Sequence, residues 1–207
     1  MGRVLMEILN LFPTEFFVFN SSFDNYQLLS QLEKFKNVPV KRNSNISVLA
    51  ELHSNEEFKP LFDWFRECLE EVRTTMKYDC ERFEIVNSWF NVSISGEQMY
   101  QNYHRHSMSF FSGVYYVTEG SPTLFEDPVI HRTQAQLEVL RYDHNPSNHI
   151  NAVPGRLVIF PSWVYHSSPT HVGTLDRYVI SFNTLPAGKI NYQLATDSRT
   201  HIEVKND

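Results

Sequence analysis

The 207-residue chain is predicted to be a mainly β protein with helices at its N-terminal side and its strands folded as a sandwich or jelly roll. Three observations carry this. From residue 83 onward, short apolar runs alternate with turn residues. The chain holds 16 Phe and 10 Tyr, side chains that suit a pleated, half-buried surface. The two clear helical periods both lie before residue 80.

Taken in order, residues 3–20 place apolar stretches around Pro13 and predict one or two short strands. Residues 24–36 carry Tyr26, Leu28, Leu29, Leu32 and Phe35 at helical spacing. Residues 37–53 read as loop, and Lys34, Lys36, Lys41 and Arg42 read as solvated charges rather than a phosphate site. The strongest helix covers 55–77, with Ser54 as N-cap, Glu57 closing a capping box, and Phe58, Leu61, Phe62, Phe65, Leu69, Val72 and Met76 as one apolar stripe. Strands are expected at 83–94, 109–118, 123–127, 137–142, 156–161 and 177–184, and the polar stretch 143–154 reads as loop. The whole is expected to be one domain: supporting elements over 1–82, a β core over 83–185 and a tail over 186–207.

A net charge of −6 argues against a general nucleic-acid binder, which needs a basic footprint. Cys68 and Cys80 have neither metal-knuckle spacing nor the number for a disulfide framework, and are expected to be reduced structural thiols. The opening "MGRVLMEILNLFPTEFF" lacks a signal-peptide core and cleavage site, and no apolar run reaches the roughly 18–20 residues of a membrane span. The expectation is a soluble, cytoplasmic protein.

The chemistry lies in three stretches. In "NYHRHSMSFFSGVYYV", His104 and His106 are two residues apart on one strand face. His166 closes the apolar stretch "GRLVIFPSWVYH". In "RYVISFN", Arg177, Val179, Ser181 and Asn183 share a face, and an inward arginine is costly unless an anion pairs with it. Imidazoles that leave coordination positions open, together with a two-pronged carboxylate clamp, can hold a divalent metal and a dicarboxylate together.

The stretch "WFNVSISGEQMYQNYHRHSMSFFSGVYYV…LFEDP…GRLVIFPSWVYHSSP…RYVISFN" resembles the 2-oxoglutarate/Fe(II)-dependent oxygenases of bacteria and phages, relatives of the prolyl hydroxylases. "LNLFPTEFFVFN" is similar to that family's opening. The resemblance implies a double-stranded β-helix (a cupin-like jelly roll) and dependence on Fe(II), 2-oxoglutarate and O₂. It also implies hydroxylation of a C–H bond with release of succinate and CO₂, the substrate tilting toward an amino-acid side chain. By the same resemblance His104 and His166 are iron ligands, Arg177 grips the far carboxylate of 2-oxoglutarate, and Ser181 and Tyr116 assist it.

One position departs from the family. Where the motif carries Asp or Glu, this chain has His106. Either His106 is the third ligand, which strand phase favours, or a carboxylate substitutes: Asp127 first, then Glu126 and Glu119. His131, His144, His149, His171 and His201 read as ordinary loop or tail histidines. Arg177 could instead pair with a structural acid such as Glu126. Trp89, Asn91, Trp163 and Tyr165 fit either a pocket wall or core packing. Two other functions stay open: a three-histidine cupin-type dioxygenase acting on a thiol or other small acid, and a jelly roll without catalysis.

Overall fold

A computed structural model of the chain describes residues 13–35, 51–129, 147–193 and 200–204. Ten antiparallel strands form two sheets. The larger holds β1 (Phe17–Asn20), β2 (Arg82–Ser93), β4 (Phe111–Tyr116), β7 (Arg156–Pro161), β9 (Arg177–Ile190) and β10 (Ile202–Val204). Its order runs β1-β7-β4-β9-β10, with β2 also paired along β9. The smaller runs in the order β3 (Gln101–His104), β8 (His166–Ser168), β5 (Gly120–Glu126), β6 (Ser147–Ala152). This is the jelly roll that the strand pattern predicts.

β4 is buried at every residue, β7 over Leu157–Phe160 and β9 over Arg177–Thr184, because both faces of these strands are covered. Successive strand side chains point to opposite faces. On one face Tyr115, Leu157, Ile159, Tyr178, Ile180 and Phe182 pack with the helices. On the other, Val114, Tyr116, Val158, Phe160 and Val179 form a second core with Phe125 and Ala152 of the smaller sheet. The space between the sheets therefore begins as an apolar interior and becomes polar toward one end.

Helix α1 (Asn25–Glu33) starts where the Asp24 side chain accepts hydrogen bonds from the backbone N–H groups of Tyr26 and Gln27. Leu28 and Leu32 are its buried face, and Leu29 and Phe35 pack against the core. Tyr26, expected in that stripe, is 86% exposed. Helix α2 (Lys59–Met76) buries Leu61, Phe62, Phe65, Cys68, Leu69 and Val72. The capping box is not formed. Ser54 ends one 3₁₀ turn (Leu52–Ser54), and Asn55 caps the next (Glu56–Phe58) by accepting from Glu57 N–H, so α2 begins later with Pro60 in its first turn. Cys68 and Cys80 are free and buried on the helix side. Burial pushes the Cys68 thiol up to about 12 and raises that of Cys80.

Strand β6 occupies part of the predicted loop 143–154. It is the edge strand of the smaller sheet, pairing with β5 through its backbone; Asn148 and His149 are exposed while Ala152 is buried. A strand with so little apolar area looks like loop to any composition rule. Strand β9 outruns its expected end at 184 and pairs β10 in the expected tail. The strand predicted at 137–142 lies outside the described residues, as do Lys36, Lys41 and Arg42. Lys34 ion-pairs with Glu57 at 3.2 Å.

Gly113 of β4 sits directly opposite Phe182 of β9, and a Cβ there would collide with the Phe182 ring, which lies 5.0 Å from that of Phe65. Gly113→Ala is expected to cost about 1–3 kcal/mol in urea unfolding, the usual size of an overpacking strain. The cost should shrink in a Phe182→Leu background; an equal cost in both backgrounds would show that the ring is not the cause.

Candidate functional site

The site lies between the sheets at the polar end. His104 of β3 stands opposite His166 of β8 in an antiparallel pair, and His106 follows two residues after His104. Its backbone N–H is tied to Ser162 O at 3.0 Å. Ring centroids are 4.3 Å apart for His104–His166, 5.2 Å for His104–His106 and 5.0 Å for His106–His166. One nitrogen from each ring lies within 4.8 Å of those of the other two.

The tautomers follow from what each Nδ1 faces. That of His104 lies 2.9 Å from the Asn102 carbonyl and that of His166 lies 3.0 Å from the Val164 carbonyl. That of His106 is hydrogen-bonded to Asn183 Oδ1, which also accepts from Ser112 Oγ at 2.8 Å. His106 Nδ1 also lies 2.9 Å from Ser112 Oγ, whose own proton goes to Asn183 Oδ1, so each Nδ1 faces acceptors, carries the proton and leaves the lone pair on Nε2. Burial, reinforced by the neighbouring His104, pushes His166 down to about 3. Burial also lowers His106, against the opposing hydrogen bond to Asn183. One nitrogen of each ring thus faces a common region, and His104 Nε2 also accepts from the Gln101 side-chain amide at 3.2 Å. Such a donor set fits a divalent transition metal such as Fe(II), which imidazole suits.

Arg177, the first residue of β9, is 4% exposed. Its Nε donates to Ser121 O at 2.8 Å, and the guanidinium carbon lies 5.8 Å from the centre of the Tyr116 ring. Among the described residues no carboxylate lies within ion-pairing distance, and Nη1 and Nη2 have no hydrogen-bond partner. The pairing with Glu126 is therefore not formed. Burial brings the guanidinium down to about 10, with Tyr116 opposing the shift. Tyr116 is fully buried, and its hydroxyl donates to Thr123 Oγ1 at 2.7 Å. Ser181 lies on the same face of β9, two strand periods beyond Arg177.

A small cavity joins the two halves. Trp89, Asn91, Gln101, Val114, Thr123 and Val179 line it together with the three histidines, Arg177 and Ser181. Trp89 stands 5.4 Å from the His106 ring, so both Trp89 and Asn91 belong to the pocket wall. Trp163 and Tyr165 do not line it and are largely exposed.

Asp127 does not join the histidines; its carboxylate accepts from Val129 N–H at 2.8 Å. Glu126 and Glu119 are likewise outside the cluster. His149 and His201 are exposed, His171 is buried in the loop before β9, and His131 and His144 lie outside the described residues. Asn183, Ser112 and Gln101 had been assigned no role from sequence. Asn183 carried a signal, being in phase with Arg177 on β9; Gln101, 3.2 Å from His104 Nε2, carried none.

Residues 87–183 match the family model described as "Putative 2OG-Fe(II) oxygenase", a span that holds all three histidines, Tyr116, Arg177 and Ser181. Over this segment the chain is similar to the 2-oxoglutarate/Fe(II)-dependent oxygenases. Solved structures show the same fold. A Pseudomonas putida prolyl-4-hydroxylase aligns at TM-score 0.58 and 12% identity, over 84% of this chain and 94% of that one. HygX from Streptomyces hygroscopicus, with nickel and 2-oxoglutarate bound, aligns at 0.57 and 11%, over 94% and 93%. The viral collagen prolyl hydroxylase of Paramecium bursaria Chlorella virus-1 aligns at 0.55 and 8%, over 82% and 94%. Curated protein sequences give no match.

Two outcomes are expected here. Asn183→Ala frees the His106 ring to turn and should weaken Fe(II) or Co(II) binding about 10–100-fold, measured by competition with a chromophoric chelator. The metal-free protein should lose stability as pH falls from about 6.5 toward about 3: over that window the unfolded His166 takes up a proton that the buried ring refuses. His166→Gln should flatten that slope.

Proposed function

We propose that the chain hydroxylates a C–H bond of its substrate at the pocket between the sheets, with His104, His106 and His166 holding Fe(II) and Arg177, Tyr116 and Ser181 holding the far carboxylate of 2-oxoglutarate. The observation that carries this is a buried guanidinium, without a carboxylate among the described residues, facing the same cavity as three oriented imidazole lone pairs. When bound, iron would activate O₂, the oxidant, with two electrons coming from the keto acid as it loses CO₂ to become succinate and two from the substrate C–H bond.

The residues' own work is positional. With Nε tied to Ser121, the Arg177 fork is aimed before a dicarboxylate arrives, and a two-pronged pair forms with little ordering cost. The Tyr116 hydroxyl is held by Thr123, and its oxygen remains open to accept or to turn. Val114 and Val179 keep the clamp dry, which strengthens each charged contact. Trp89 and Asn91 stand at the pocket wall where a substrate would meet the metal. The prolyl hydroxylases among the similar structures favour an amino-acid side chain, free or in a peptide. Among the described residues no helix is long and apolar enough to cross a membrane. The reduced, buried thiols fit the cytoplasm.

His106 in place of a carboxylate supports a second reading, a three-histidine dioxygenase in which Arg177 holds the substrate's own carboxylate. The discriminating experiment is anaerobic titration of the Fe(II)-loaded protein with 2-oxoglutarate, read by the visible charge-transfer absorption of a chelated keto acid. Saturable absorption is the expected result. Iron binding without it would favour the second reading. Arg177→Gln should keep iron and lose about 2–5 kcal/mol of 2-oxoglutarate affinity, as when one partner of a buried charged pair is truncated. His166→Ala should lose the metal.

A further inference from the structure

Arg177 is held by more than its own strand. The His171 side chain, 3% exposed, lies between two glycines. A Cβ on Gly120 would meet His171 Cε1 at 3.0 Å and Arg177 Cδ at 2.9 Å, and a Cβ on Gly173 would meet His171 Cε1 at 2.6 Å. Gly120 has a φ of +150°, a conformation that side chains rarely adopt, so the backbone there is shaped to let ring and guanidinium stem lie close. His171 Nε2 lies 2.7 Å from the Leu175 carbonyl and so carries the proton. Ser121 Oγ donates its one proton to Thr170 O at 3.3 Å and lies 3.4 Å from His171 Nδ1, so the ring packs beside that hydroxyl. The carbonyl of the same Ser121 receives Arg177 Nε–H.

We infer that His171 is a positioning residue for the co-substrate clamp: its ring fills the space beside the stem of Arg177 and packs against Ser121, whose carbonyl aims the guanidinium. The inference rests on the reading of Arg177 as the 2-oxoglutarate clamp. His171 touches neither co-substrate nor metal, and its ring is absent from the three-histidine cluster. The same ring lines a second cleft of about 760 Å³ beside the start of α1, with Gly120, Gly173 and Leu175. The wall behind the clamp is therefore also the wall of an open cleft.

The test uses the full-length protein and three variants: His171→Ala, His171→Gln and Arg177→Gln. Binding of 2-oxoglutarate is measured by calorimetry on Zn(II)-loaded protein, the KM for 2-oxoglutarate and kcat by succinate formation, and metal affinity by chelator competition. His171→Ala is expected to raise Kd and KM for 2-oxoglutarate about ten-fold through a mispositioned fork, with kcat and metal affinity within about two-fold. His171→Gln, which can still donate to Leu175 O and fill the space beside Ser121, should restore most of the affinity. Unchanged Kd and KM in His171→Ala would overturn the inference, as would a joint fall of metal affinity, kcat and unfolding temperature that glutamine does not rescue. Arg177→Gln separates the two readings. If it leaves 2-oxoglutarate binding intact the clamp reading fails; if it weakens binding while His171→Ala does not, only this inference fails.

Discussion

The period-two alternation of β9 is the constraint on which the rest depends. Tyr178, Ile180 and Phe182 point to the helices, and their neighbours Arg177, Val179, Ser181 and Asn183 point between the sheets. A shift of one residue against β2 or β4 would bury the polar set under α2 and expose the rings. Register is thus fixed from both sides. The aromatic packing of Phe65 against Tyr115 and Phe182 sets the orientation of the polar groups that face the site.

The smaller sheet contributes the histidine half under looser rules. Strand β3 is an edge of four residues and β8 has three, so little apolar burial holds them. Their geometry comes instead from polar ties: imidazole N–H groups on the Asn102 and Val164 carbonyls, and the His106 backbone on Ser162. The third imidazole is tied across to the larger sheet through Asn183 of β9 and Ser112 of β4, which couple the two halves of the site.

Much of this was legible in the sequence. Short runs between turn residues marked β2, β4, β7 and β9, and the α2 stripe from Phe58 to Val72 is buried throughout. His104, His106, His166 and Arg177 were named from spacing and family resemblance, and the structure gathers them around one cavity. What was hidden had little apolar signal or none. Strand β6 pairs by backbone alone along a polar edge, and the start of α2 was decided by Asn55 and Pro60 rather than by the box-like Ser54 and Glu57. The acceptors that orient the rings are mostly backbone carbonyls, which every residue carries and no motif records. The histidine in place of the usual carboxylate was visible, but only coordinates show Asp127 turned to its own backbone.

The two cysteines complete the picture from the far side of the larger sheet. A thiol reacts with oxidants and binds metals as its anion, and Cys68, held near 12, stays protonated at any pH at which the fold is of interest. Cys80 is shifted in the same direction behind its own burial. A chain that reads as handling iron and dioxygen thus keeps its only sulfur nucleophiles out of that chemistry. Both thiols belong to the packing under the larger sheet, apart from the histidine cluster.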